Sequence, residues 1–179
     1  MFKLILAAIV VTIVVIVSFS AIKSVTGGGG GNNPTSSITD ESNLNVTITG
    51  EVTHPGTYLL PLKSELRNLI EAGGGTTSNA DSRCFNLDYA LLSGGTYYIA
   101  PLYDNSNTCA ITPLSKVNIN SADKATLSNL ETIGTTLANA IVAHREKNGT
   151  FKAIEEIKNV DGIGPATFEK VKMNICLRD

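Results

Sequence analysis

Leu127-Ser-Asn-Leu-Glu-Thr-Ile-Gly134 and Ile157-Lys-Asn-Val-Asp-Gly-Ile-Gly164 are two copies of one pattern, offset by 30 residues. Leu127 answers to Ile157, Leu130 to Val160, Ile133 to Ile163, Gly134 to Gly164, Ala138 to Phe168 and Ile141 to Val171. Each copy predicts a short helix, a tight Ile-Gly turn, and a second helix starting directly after the glycine. Such a turn leaves the first N–H groups of the following helix without acceptors, at the positive end of its dipole, where a phosphate is favoured. Two turns of this kind in one small domain can hold two backbone phosphates together, which reads as a grip on nucleic acid.

Working outward, Asp123 is the predicted cap of the first helix, with Ser121 as the alternative. The second helix runs from Thr135 and ends at Asn148-Gly149. Phe151 plugs the junction between the copies, a third helix covers Ile154 to Val160, and Pro165 suits the first position of a fourth. Phe168, Val171 and Ile175 form the buried stripe of that last helix, which also carries Cys176. The grip is therefore placed on Thr132, Ile133, Gly134, Thr135 and Thr136 in the first copy and on Gly162, Ile163, Gly164, Ala166 and Thr167 in the second. Ile133 and Ile163 anchor the turns in the core. Lys147, Lys170 and Lys172 supply outlying charge. Lys170 and Lys172 are two residues apart and cannot share a helix face, so at best one of them reaches a phosphate.

Composition adds less. From Asp40 to Pro113 there are 3 basic and 8 acidic residues, and from Leu114 to Asp179 there are 9 basic and 8 acidic. The repeat half is the less acidic one without being strongly basic, and composition alone would not suggest a nucleic-acid binder. With 2 histidines, no carboxylate pair at a useful spacing and no serine–histidine pattern, an enzyme is not expected, and neither is a cofactor. No CxxC or His/Cys cluster is present, so no metal site is expected.

Leu4 to Ile22 is an apolar run broken only by Thr12, Ser18 and Ser20 and flanked by Lys3 and Lys23. It is just long enough to span a hydrocarbon core of about 30 Å. A single-pass signal anchor over residues 1–23 is the first reading, because the run exceeds the usual signal-peptide core. A cleaved signal with Ser18 and Ser20 before Ala21 is the second. Both export the rest of the chain. Residues 24–43, with Thr26-Gly-Gly-Gly-Gly-Gly-Asn-Asn-Pro34, form a flexible tether. Export permits a disulfide. Cys84 and Cys109 share the middle segment and could bridge, and three unpaired thiols are the alternative.

Residues 44–104 predict a small unit of strands around one helix. Val46-Thr-Ile-Thr-Gly-Glu-Val52 alternates as a half-buried strand does. His54-Pro-Gly56 turns the chain into Thr57-Tyr-Leu-Leu60, and Ser64–Ala72 is a helix stopped by Gly73-Gly-Gly75. Asn86–Leu92 is a second apolar element, Thr96–Ala100 a last strand, and residues 105–115 a polar linker. Gly50-Glu-Val52, Pro55-Gly56, Leu69-Ile70 with Ala72-Gly-Gly74, and the strand ending Ile99-Ala-Pro101 resemble the SLBB family, a β-grasp-like module. That resemblance implies binding of polymers or self-association.

Val117-Asn-Ile-Asn120, Ile141, Arg145, Asn148-Gly149, Phe151 and Asn159-Val-Asp-Gly-Ile-Gly164 closely resemble the paired helix-hairpin-helix domain of ComEA-type competence DNA receptors. The expected fold is α+β: a transmembrane helix, the SLBB-like unit, then an all-α tandem helix-hairpin-helix domain over 116–179. The resemblance implies a receptor in the cell membrane, with its domains on the extracellular side. It would bind double-stranded DNA without sequence preference and pass it toward a competence DNA-transport channel, aided by self-association through the SLBB-like unit. The family's first turn is usually Gly-Ile-Gly, against Thr132-Ile133-Gly134 here. The lysines often found past each turn are replaced by Leu137 and Ala166. About 2–4 phosphates per domain are then expected to be neutralised. The competing reading is an exported SLBB polymer-binding or adhesion protein whose helical domain makes protein contacts.

Overall fold

The computed structural model describes residues 43–104 and 112–179. The expected transmembrane anchor and glycine-rich tether, apart from Asn43, lie outside the described residues, as do Cys109 and most of the expected linker. The described residues belong to one compact unit.

Strand β1 (Asn43–Gly50) alternates as its sequence demands, burying Leu44, Val46 and Ile48. Strand β2 (Gly56–Pro61) returns antiparallel to it, with Val46 opposite Tyr58. Tyr58 Oη closes the turn by donating to the His54 carbonyl at 2.7 Å. Helix α1 (Leu66–Ala72) then carries Leu66, Leu69 and Ile70 onto the sheet. Strand β3 (Thr96–Ile99) lies parallel to β1 on its other side, pairing Ile48 with Tyr97, which gives the order β2-β1-β3. Gly50 is required where β1 meets the end of β3. Its φ is 86°, and a Cβ would stand 2.2 Å from the Ile99 carbonyl oxygen. The Asn86–Leu92 segment forms neither helix nor strand. It is held by turns and by backbone hydrogen bonds to the start of α1: the Leu66 N–H donates to the Tyr89 carbonyl at 2.9 Å, the Arg67 N–H to the Leu87 carbonyl at 3.0 Å, and the Leu91 N–H to the Ser64 carbonyl at 2.9 Å.

Strand β4 (Tyr103–Asp104) pairs antiparallel with β5 (Thr112–Pro113), so the expected linker contains a strand of its own. The repeat domain begins with β6 (Val117–Asn118) and continues through α2 (Lys124–Ser128), α3 (Thr135–Asn148), a 3-10 turn (Ile154–Asn159) and α4 (Pro165–Val171). It ends in β7 (Ile175–Cys176), which lies parallel to β6. Fifteen buried residues, from Ile119 to Ile175, form its core.

This corrects the all-α expectation. The last helix stops at Val171, and Ile175 and Cys176 leave it to pair with the Val117-Asn118 lead-in. The Val117 N–H donates to the Asn174 carbonyl at 2.8 Å and the Ile119 N–H to the Cys176 carbonyl at 3.0 Å. Tertiary hydrogen bonding thus takes up backbone groups that a helix would otherwise satisfy locally. The third element is a 3-10 turn, because Ala153 and Val160 on either side of it are both extended.

Asn120 organises the junction. Its side-chain amide donates to the Phe151 and Leu177 carbonyls, each at 3.0 Å, and its Oδ1 accepts from the Phe151 N–H at 2.8 Å. Arg145 donates to the Ile119 carbonyl at 2.9 Å. The lead-in and the Asn-Gly-x-Phe segment are therefore parts of one polar joint.

Candidate nucleic-acid interface

The duplicated sequence folds into two hairpins with matching backbone hydrogen bonds. Ile133 N–H donates to the Leu130 carbonyl and Ile163 N–H to the Val160 carbonyl, both at 3.0 Å. Ala138 N–H donates to the Gly134 carbonyl and Phe168 N–H to the Gly164 carbonyl, again both at 3.0 Å. Ile133 and Ile163 are buried plugs, as their sequence positions predict.

Each helix after the turn begins at a glycine cap with extended backbone, φ −76° at Gly134 and −93° at Gly164. Neither cap offers a side chain to the helix N–H groups. In α3 the N–H groups of Thr135, Thr136 and Leu137 precede the first intrahelical bond. In α4 Pro165 has none to offer, which leaves Ala166 and Thr167. Thr132, Thr135, Thr136, Gly162 and Ala166 are exposed, and Gly164 and Thr167 are half-buried. Those ten turn positions come together as two matching groups.

The glycines differ in why they are glycine. Gly162 has φ 87°, and a Cβ on it would meet Leu137 Cδ2 at 2.8 Å. At Gly134 and Gly164 the backbone is one any residue adopts, and a Cβ would point into open space. Neither conformation nor internal packing asks for glycine there. Glycine is among the favoured N-cap residues, and a bare Cα also leaves the helix N–H groups behind it open to close approach.

The three lysines part company. Lys147 and Lys170 are exposed. Lys172 is turned away: its Nζ lies 4.5 Å from the centroid of the Tyr98 ring in the other module and pairs with Glu169. Sequence spacing shows that Lys170 and Lys172 diverge, but which of them stays free depends on where Tyr98 sits. Leu137 packs against the domain core, so its side chain is structural. Two further residues went unremarked in the sequence reading: Glu131 and Asp161, exposed and equivalent, stand before the two turns. Their signal is the 30-residue offset itself, which matches acid to acid as it matches glycine to glycine.

The two modules meet along β3. Tyr98 N–H donates to Glu155 Oε1 at 2.7 Å, so a carboxylate of the repeat domain caps a backbone donor on the edge of the sheet. Burial pushes the Glu155 carboxyl up to about 7, against the lowering effects of this hydrogen bond and of Lys158.

The sequence matches two families in keeping with this geometry, the SLBB domain over residues 45–98 and the helix-hairpin-helix motif over residues 113–176. Together they describe an SLBB module joined to tandem helix-hairpin-helix units. ComE operon protein 1 of Bacillus subtilis (strain 168) is 35% identical over 150 residues, covering 78% of this chain and 73% of that protein. The chain belongs to that family, the ComEA-type competence DNA receptors. Shorter likenesses reach further. Endonuclease/exonuclease/phosphatase family domain-containing protein 1 of Homo sapiens is 37% identical over 62 residues, 35% of this chain and 11% of that protein. An uncharacterized protein of Haemophilus influenzae is 46% identical over 56 residues, 31% of this chain and 50% of its own length.

Proposed function

We propose that this chain is a membrane-anchored, non-enzymatic receptor that holds double-stranded DNA outside the cell and hands it to a competence DNA-transport channel. The observation that carries this reading is the pair of glycine caps, Gly134 and Gly164, left open where neither backbone nor packing requires glycine. Phosphate oxygens fill such a space and take hydrogen bonds from the uncapped N–H groups behind it. Contacts of this type carry no base information, so binding is indifferent to sequence and weakens with salt.

Self-association through the sheet module supplies avidity to a grip that has few cations. β2 is an edge strand of its sheet. Leu59 on it is 73% exposed, and Leu92 elsewhere in the same module is 65% exposed. These same leucines, with the acidic Glu131 and Asp161 before the turns, favour the second reading, an exported polymer-binding or adhesion protein.

The test is a titration of the full chain in detergent micelles against two unrelated duplexes at low and moderate salt. Gly134→Val and Gly164→Val should each weaken binding while leaving the fold intact, since both side chains enter open space. Unchanged DNA affinity in both folded variants would turn the reading toward a protein or polymer partner.

A further inference from the structure

Two cysteines meet where the modules join, and the DNA-binding reading uses neither. Cys84 ends a 3-10 turn (Ser82–Cys84) in the SLBB module, and Cys176 ends β7 in the repeat domain. The Leu177 N–H donates to the Arg83 carbonyl at 3.0 Å, which sets the residue after Arg83 beside the residue before Leu177. Arg178 holds the same turn from the other module, donating to the Ser82 carbonyl at 2.6 Å and the Phe85 carbonyl at 3.2 Å. The two thiols are free and pack side by side. Both residues are buried, at 0% and 2% exposure, in a small cluster with Ala100.

We propose that Cys84 and Cys176 form a disulfide that staples the SLBB module to the helix-hairpin-helix domain, leaving Cys109 as the odd thiol. The pairing differs from the Cys84–Cys109 bridge that sequence proximity suggests, and it rests on a backbone juxtaposition that sequence proximity does not provide. From the proposed function it takes only export to an oxidising compartment. The pairing itself is a property of the fold.

The surroundings favour the reaction. The hydrogen bond from Cys84 and the nearby Arg83 guanidinium hold the Cys176 thiol down to about 7, whereas that same hydrogen bond and burial push Cys84 up. Cys176 is therefore the first thiolate. It attacks one sulfur of a disulfide oxidant, either a small disulfide or an exported thiol oxidoreductase, and forms a mixed disulfide while expelling the oxidant's other sulfur as a thiolate. Cys84 gives its proton to that thiolate and attacks the Cys176 sulfur, releasing the second oxidant sulfur, which takes up the proton lost by Cys176. Two protein thiols lose two electrons and two protons, and the oxidant gains both as two thiols. Docking buries both sulfurs, so the oxidant reaches them as the junction opens, with Cys176 having lost its proton while still beside Cys84 and Arg83. The closed staple then bridges residues far apart in sequence, the kind of cross-link that constrains an unfolded chain most.

The experiment refolds the reduced full chain in detergent micelles in a glutathione redox buffer, blocks free thiols, and maps the tryptic peptides by mass. Trypsin leaves Cys84 and Cys109 together in peptide 84–116 and Cys176 in peptide 173–178, so Cys109→Ser is run beside the wild type. The expected result is a link between these two peptides in both proteins. The melting midpoint of Cys109→Ser should fall by on the order of 10 °C when it is reduced. A peptide 84–116 bridged to itself, or blocked thiols at Cys84 and Cys176 in folded Cys109→Ser, would overturn the pairing. Comparing oxidised and reduced forms of one variant keeps the test independent of whether a Cys176 substitution folds. Linkage in the buffer with free thiols in protein trapped directly from cells would support the pairing and count against export alone.

Discussion

Thr132 and Gly162 occupy the same place in the two hairpins, and both are left-handed, with φ 69° and 87°. The turn geometry of the repeat dictates this position, whatever residue fills it. A β-branched side chain there costs roughly 1–2 kcal/mol that glycine avoids. Thr132→Gly should therefore stabilise the domain by about 1 kcal/mol in denaturant unfolding, after the entropy that glycine loses on folding. Gly162→Ala should destabilise it by about 1–3 kcal/mol, since its Cβ also collides with Leu137.

Asn120 is the strongest single polar joint of the repeat domain. Asn120→Ala removes three hydrogen bonds and leaves the Phe151 N–H and the Phe151 and Leu177 carbonyls without that partner. A loss of about 2–4 kcal/mol is expected, read as a lower midpoint in chemical unfolding. Asn120→Asp keeps an acceptor for Phe151 N–H but sets a carboxylate against two carbonyls, and should be no better than alanine.

Glu155 should make stability depend on pH in the direction opposite to most carboxylates. Its folded value lies near 7, above the ordinary 4.5, so the folded state holds a proton that the unfolded chain releases. The stabilising contribution is complete below about pH 4.5 and is lost as pH rises through about 7. Glu155→Gln keeps an acceptor for the Tyr98 N–H without the charge. Thermal unfolding at pH 5 and pH 8 should show the variant close to wild type in acid and more stable at pH 8.

Charge added at the two turns should not act equally. Ala166 is exposed, and Ala166→Lys should tighten DNA binding and steepen the slope of log affinity against log salt by roughly 0.9 for one added phosphate contact. Leu137→Lys should gain less, because it gives up packing against the core and against Gly162. Asp161→Asn should tighten binding modestly by removing a like charge from the approach of a phosphate. Fluorescence titration at several salt concentrations distinguishes the three.

Much of the fold was legible because its signals are local. Alternation in β1, the Pro-Gly turn, the glycines after α1 and the 30-residue offset all express backbone preferences acting within a few residues. The two hairpin turns around Gly134 and Gly164 were legible for the same reason: a repeated turn repeats its geometry. Two features were hidden by competition between local and distant partners. Ile175 and Cys176 fit a helical stripe, yet β6 offers them a ladder, and main-chain groups go where they are best paired. Asn86–Leu92 carries enough apolar residues for an element, but its main-chain groups pair with Ser64, Leu66 and Arg67 and hold it in turns.

The two modules, the duplicated hairpins and the buried isoleucines of their turns follow from the order of residues alone, since periodicity and turn chemistry depend on neighbours along the chain. It took the packed fold to set Lys172 against Tyr98, Leu137 beside Gly162, Glu155 on the edge of β3 and Cys84 against Cys176. Each of these pairs joins residues brought together by the packing of whole elements. Side-chain burial and hydrogen-bond competition across a folded surface settle such contacts, and neither is a property of any stretch of sequence alone.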